Sequence, residues 1–165
     1  MIFPATLLFA LLVPGALPAA DQTPAVSHQL LELVNEARAQ RRRCGWKRFG
    51  PSAPLVSSDA LQRAALSHAE DMAARRKLSH SGQDGSTPGE RATRSGYRWR
   101  AVGENIAAGQ STAGQVVADW LKSPQHCGNI MSPDYSEMGV AFAVAPQSEM
   151  GIYWVQLFAA PQPAS

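Results

Sequence analysis

Ser136-Glu137-Met138-Gly139-Val140-Ala141-Phe142-Ala143-Val144-Ala145 and Ile152-Tyr153-Trp154-Val155-Gln156-Leu157-Phe158 decide the fold. In the first segment Met138, Val140, Phe142 and Val144 fall on one parity, and in the second Ile152, Trp154, Gln156 and Phe158 do the same. A period of two puts alternate side chains on opposite faces of an extended chain, which is the mark of a strand. Pro146-Gln147-Ser148-Glu149-Met150-Gly151 between them is turn chemistry. The two segments are therefore expected to form an antiparallel hairpin, which must be covered by other elements to be stable.

Upstream, the period changes from 2 to 3.6. Thr112 with Gln115 three residues later precedes Val116, Val117, Trp120 and Leu121, a capped helix that should stop before Pro124. Tyr97 to Ala108 reads as a strand leading into an irregular turn at Gly103-Glu104-Asn105-Ile106. Thr87-Pro88-Gly89-Glu90 is a capping box with proline at the first helical position, predicting a short helix that stops at Gly96. Leu61, Ala65, His68 and Met72 share the face of a helix from Ser58 or Asp59 to about Lys77, with His68 as a packed, hydrogen-bonded core residue. Leu30, Leu31, Val34 and Ala37 mark a first helix from Ser27 to about Arg42. Its terminal run Arg41-Arg42-Arg43, with Lys47 and Arg48 beyond, suits an anionic surface or, as the preferred reading, the negative end of the helix dipole. Gly45 to Pro54 reads as a loop. Helices first and strands last, with a small antiparallel sheet that needs helices on its faces, make an α+β sandwich.

The 165 residues are 45% hydrophobic and 17% charged, with 13 Gly and 12 Pro, which suits one globular domain. A formal net charge of +2 is too small for phosphate neutralisation to dominate binding, so a dedicated nucleic-acid partner is not expected. Met1 to Ala20 carry no charged side chain and contain the apolar run Leu7 to Val13, the core of a signal peptide with cleavage expected near Ala19 or Ala20. Residues 21–165 would then be a single domain with its core over 27–160, secreted or held in the periplasm or cell envelope, without a transmembrane span. Export places Cys44 and Cys127 in an oxidising compartment, where the pair is expected to be a disulfide. Closing that loop is worth about 4 kcal/mol in the chain-entropy model.

Four polar residues stand where surface filler is not expected: His80 after the second helix, Glu104 in an apolar stretch, His126 after a Ser-Pro stop, and Glu137 at the start of the hairpin. If they converge, they can bind a divalent metal, act as acid and base, or satisfy one another. Spacing alone does not choose.

Leu78-Ser79-His80-Ser81, Gly103-Glu104-Asn105-Ile106-Ala107, Trp120 to Met131, Ser136-Glu137-Met138-Gly139-Val140 and Tyr153-Trp154-Val155-Gln156 occur in an order that resembles the CAP superfamily of cysteine-rich secretory proteins, antigen 5 and pathogenesis-related proteins. The match is most similar to its short bacterial secreted members. The resemblance implies a three-layer α-β-α sandwich of the SCP type, usually extracellular, with a cleft holding two histidines and acids. Those histidines fall on His80 and His126 and the first acid on Glu104; the second falls on Glu137, because Lys122 and Ser123 stand where animal and plant members place it. Gln125 replaces a glycine that often precedes the second histidine. Members are linked to sterol or lipid binding, signalling, metal binding and, less generally, proteolysis, so the fold does not name a reaction. The expectation is a monomeric, non-enzymatic module that binds an extracellular or envelope partner, a lipid among the candidates, and requires no cofactor. A divalent metal such as zinc on His80 and His126 is the candidate occupant, and a metal-assisted hydrolase or peptidase at the same cleft is the alternative. A purely hydrogen-bonded cluster should instead raise the histidine pKa through its carboxylates.

Overall fold

The computed structural model describes residues 23–163, so the expected signal peptide and its cleavage site lie outside the described residues. Along the chain run α1 (Thr23–Arg38), β1 (Arg42–Cys44), β2 (Lys47–Phe49), β3 (Val56–Ser57), α2 (Asp59–Arg75), α3 (Pro88–Arg94), β4 (Trp99–Ala108), α4 (Ala113–Lys122), α5 (Pro124–Met131), β5 (Glu137–Ala145) and β6 (Gly151–Pro161).

The hairpin forms as its alternation requires, with β5 and β6 antiparallel from Glu137↔Ala159 to Ala145↔Gly151. β4 pairs along the other side of β6, in the order β3-β5-β6-β4, so β6 is central and is buried on both faces from Tyr153 to Ala160. Trp154, Phe158, Met138 and Val140 pack into one core with residues of α1, α4 and α5. Tyr153, Val155, Leu157, Ala159 and Ala141 pack with Leu61, Ala65 and Met72 of α2. Helices thus cover both faces, and the fold is the α-β-α sandwich that the pattern of elements requires. Gly139 sets the contact on the α2 face: a Cβ there would overlap the backbone of Leu61 and Gln62, so only glycine lets the helix approach the strand this closely.

The chain departs from the sequence reading at several points. First, α1 ends at Arg38 rather than Arg42, because the Arg38 side chain is drawn inward. It is completely buried and donates from Nε to Ala53 O (2.8 Å) and from Nη1 to Ile130 O (2.7 Å) and Ser132 O (2.8 Å). Second, Arg42 and Arg43, read as part of the basic end of that helix, pair together with Cys44 against Lys47-Arg48-Phe49, a stretch expected to be loop, as a two-stranded hairpin. Third, Gly103 to Ile106 are not a turn but the middle of β4, in unbroken register with β6 from Ala101 to Ala108. Fourth, the chain does not leave helical structure at Pro124. Ser123 ends α4 and is the N-cap of α5, and proline at the first helical position costs no hydrogen bond that the helix would otherwise make. The small sheet also gains a parallel strand, since β3 pairs with β5 at Val56↔Glu137 and Ser57↔Met138.

Candidate functional site

β4 is an edge strand, and its successive residues serve opposite faces. Glu104 is level with Leu157 and Gly139, on the α2 side. Its side chain is 1% exposed, and a carboxylate in that position needs partners for both oxygens. Oε1 accepts from His80 Nδ1 at 2.7 Å, and Oε2 accepts from Arg91 Nη2 at 2.6 Å. Arg91, on α3 and 5% exposed, also donates to Ser86 O (2.7 Å) and His80 O (3.0 Å), so it holds the segment after α2 against β4. The buried charge is thus paired, and the same pair fixes where His80 stands. Because a carboxylate only accepts, Nδ1 of His80 carries the proton toward Glu104.

Asn105 faces the other way and positions the second histidine. Its Nδ2 donates to the backbone carbonyl of His126 (3.2 Å) and to Gln156 Oε1 (3.2 Å), while Asn129 Nδ2 donates to Asn105 Oδ1 (2.9 Å) and to Glu104 O (3.1 Å). These amides clamp α5 to β4. On the far side of α5 the Cys44–Cys127 disulfide, with Cα atoms 5.5 Å apart, ties it to the β1–β2 hairpin. Between hairpin, α5 and β4 lies a cleft of about 480 Å³, lined by His80, Glu104, His126, Lys47, Phe49 and Tyr135 among others. The His126 imidazole is held below its ordinary pKa, first by burial and then by the charge of His80 nearby, opposite to the direction expected for a carboxylate-bound cluster. Among the described residues no carboxylate is paired with it: the carboxylate of this cleft is already shared between His80 and Arg91.

The structure therefore brings His80, Glu104 and His126 together. It does not bring Glu137, which opens β5 with β6 standing between it and β4, and which is absent from the cleft lining. Glu137 instead lies beside Tyr97, whose phenol is pushed up by burial and then by that carboxylate. Ser79 is spent on local structure, its Oγ bonding Ser81 N and O, whereas Ser123 stands where α4 ends and α5 begins without a side-chain cap bond to α5. His68 is the buried, hydrogen-bonded core residue that the pattern implies. It is also a support for the cleft, since its Nε2 donates to Ser79 O at 2.8 Å and so steadies the residue before His80.

The donor set fits a cation in one way only. With Nδ1 of His80 on a buried carboxylate, Nε2 remains free as a ligand atom, the arrangement metal-binding histidines commonly have. His126, with its low pKa, is neutral and able to coordinate at pH 7. Glu104 is a support rather than a third ligand, and among the described residues no three His, Cys, Asp or Glu side chains converge on one point. The two imidazoles could hold a metal whose remaining positions are open to water or a guest.

Comparison with known proteins agrees with this architecture. The sequence profile of the Cysteine-rich secretory protein family matches residues 31–158. Uncharacterized protein YkwD of Bacillus subtilis (strain 168) is 29% identical over 140 residues, 85% of this chain and 49% of that protein, so the chain spans about half the length of this curated relative. An extracellular protein containing a SCP domain from Bacillus anthracis str. Ames superposes with a TM-score of 0.71 at 22% identity, over 88% of this chain and 44% of that one. An outer surface protein from Borrelia burgdorferi superposes with a TM-score of 0.63 at 21% identity, over 82% of this chain and 89% of that one. At these identities the two structures speak for the fold. With the family profile spanning most of the sandwich, the chain belongs to the cysteine-rich secretory protein, or CAP, family.

Proposed function

We propose that this protein is an exported, non-enzymatic binding module, acting outside the cell or in its envelope, whose cleft receives a guest between His80 and His126. The observation that carries this reading is the shelf under His80: a buried Glu104, neutralised by Arg91, orients the imidazole so that Nε2 is left for an external partner. Export is supported by the apolar N-terminal segment, by the disulfide, and by the extracellular and outer-surface descriptions of two structural relatives. A divalent cation is the simplest guest for a pair of imidazoles, and it would supply a positive centre with open positions for a second, oxygen-bearing ligand. Binding rather than turnover is favoured because Glu104, the acid of the cleft, is held between His80 and Arg91 and so is committed to support.

Melting curves at pH 7.5 with and without zinc test the cleft. The parent should gain melting temperature with zinc concentration through mass action, and the His80→Ala/His126→Ala double variant should not. Equal zinc responses in parent and double variant would remove the cleft from the proposed function.

A further inference from the structure

The β1–β2 hairpin carries Arg41, Arg42, Arg43, Lys47 and Arg48 around a two-residue turn, Gly45-Trp46. Gly45 has a φ of +62°, the conformation required of glycine at the first position of a type II′ turn, so the turn is tight and Trp46 is at its tip. Trp46 is 88% exposed, the most exposed large hydrophobic side chain among the described residues. Leaving an indole in water is unfavourable, and a solvated helix end does not call for one. Arg41, Arg43, Lys47 and Arg48 are exposed as well, and no described acidic side chain forms an ion pair with any of the five cations. These five charges exceed the +2 of the whole chain, so the remainder is net negative and the molecule is polarised toward this hairpin. Four of the arginines border one recess of about 460 Å³ floored by Phe49.

We propose that the β1–β2 hairpin docks on an anionic phospholipid bilayer, with Trp46 entering the interface and the surrounding cations on headgroup phosphates. Charge complementarity calls for a polyanionic surface, and guanidinium forks match phosphate oxygens. The tip tryptophan selects a bilayer over a soluble polyanion. An indole standing free on a turn is covered on all sides only when it enters a layer, and the headgroup interface is where tryptophan settles. The docking does not depend on what occupies the histidine cleft. It does orient it: Lys47 and Phe49 line the cleft, and the disulfide fixes the hairpin to α5, so a docked hairpin presents the cleft at the membrane surface.

The test is cosedimentation of the full chain with phosphatidylcholine vesicles and with vesicles containing phosphatidylglycerol, at low and at 0.5 M salt. Parent and variants are compared in the same form, so that any contribution of the apolar N-terminal residues is common to all. Binding should require phosphatidylglycerol and weaken strongly at high salt. Arg41→Gln/Arg48→Gln, which removes two exposed charges, should lower the partition about 25-fold, on the order of fivefold per charge. Trp46→Ala should lower it at least threefold and abolish a blue shift of the emission seen in the parent, and all variants should melt like the parent. Equal binding to both vesicle types, or an unchanged partition for Trp46→Ala, overturns the proposal. So does binding to dextran sulfate, unaffected by Trp46→Ala, in a protein that leaves the vesicles bare; that result assigns the hairpin to an anionic polymer.

Discussion

Glu104 shows what the cleft demands of the fold. Its carboxylate and the Arg91 guanidinium are both withdrawn from water, and neither is tolerated there without the other. Glu104→Gln leaves a buried cation without its counter-charge and is expected to destabilise the protein by about 3 kcal/mol or more, read from the urea midpoint. Arg91 could not be singled out in the sequence, because it is one of several arginines around a short helix and nothing local says that it turns inward. His80, Glu104 and His126 were legible through the motifs around them, whereas the assignment of Glu137 depended on a substitute for an acid found elsewhere in the family. The histidines also set a pH dependence. His68 and His126 both lie below their ordinary pKa, each chiefly through burial, so below about pH 6.5 the unfolded chain takes up protons that the folded one refuses. Their stabilising effect is therefore complete above about pH 6.5 and is lost as pH falls through the folded values. Urea midpoints measured from pH 7 to pH 5 should fall, and less steeply in His68→Gln, which can still donate to Ser79 O.

Among the elements, β5 and β6 were readable because alternating large and small apolar residues leave few alternatives, and α2, α3 and α4 because their apolar stripes or caps are written in the chain. The β1–β2 hairpin was not, since Arg42, Arg43, Lys47 and Arg48 carry no apolar alternation and only Cys44 is fully buried. α5 escaped for a different reason: Ser-Pro stops one helix and starts the next with equal ease. The end of α2 offers a test of local geometry. Exposed Arg76 closes that helix in the left-handed conformation, φ 53° and ψ 38°, which penalises a Cβ. Arg76→Gly should therefore stabilise the protein by about 1 kcal/mol despite the greater freedom of glycine in the unfolded chain. An unchanged or lower melting temperature would contradict this.

For the whole molecule, two cores on either side of one sheet hold the sandwich together, and the small hairpin stands outside that sheet, reaching one core through Cys44 and Phe49. It is held by the Cys44–Cys127 bridge across 83 residues and by contact with α5. Cys44→Ser/Cys127→Ser should lose about 4 kcal/mol of stability through loop entropy. It should also loosen the cleft wall that carries Lys47 and Phe49, seen as faster amide exchange confined at first to residues 42–49. That the disulfide was foreseeable follows from the expected export and a cysteine count of two, with no geometry needed.

The central claim is that His80 and His126 act as one pair on one guest. Imidazole resonances followed by NMR during a zinc titration at pH 7.5 test it most directly. Both residues should shift together and saturate at one equivalent, with His68 and His28 unmoved; a response confined to one of the pair, or to neither, would contradict it.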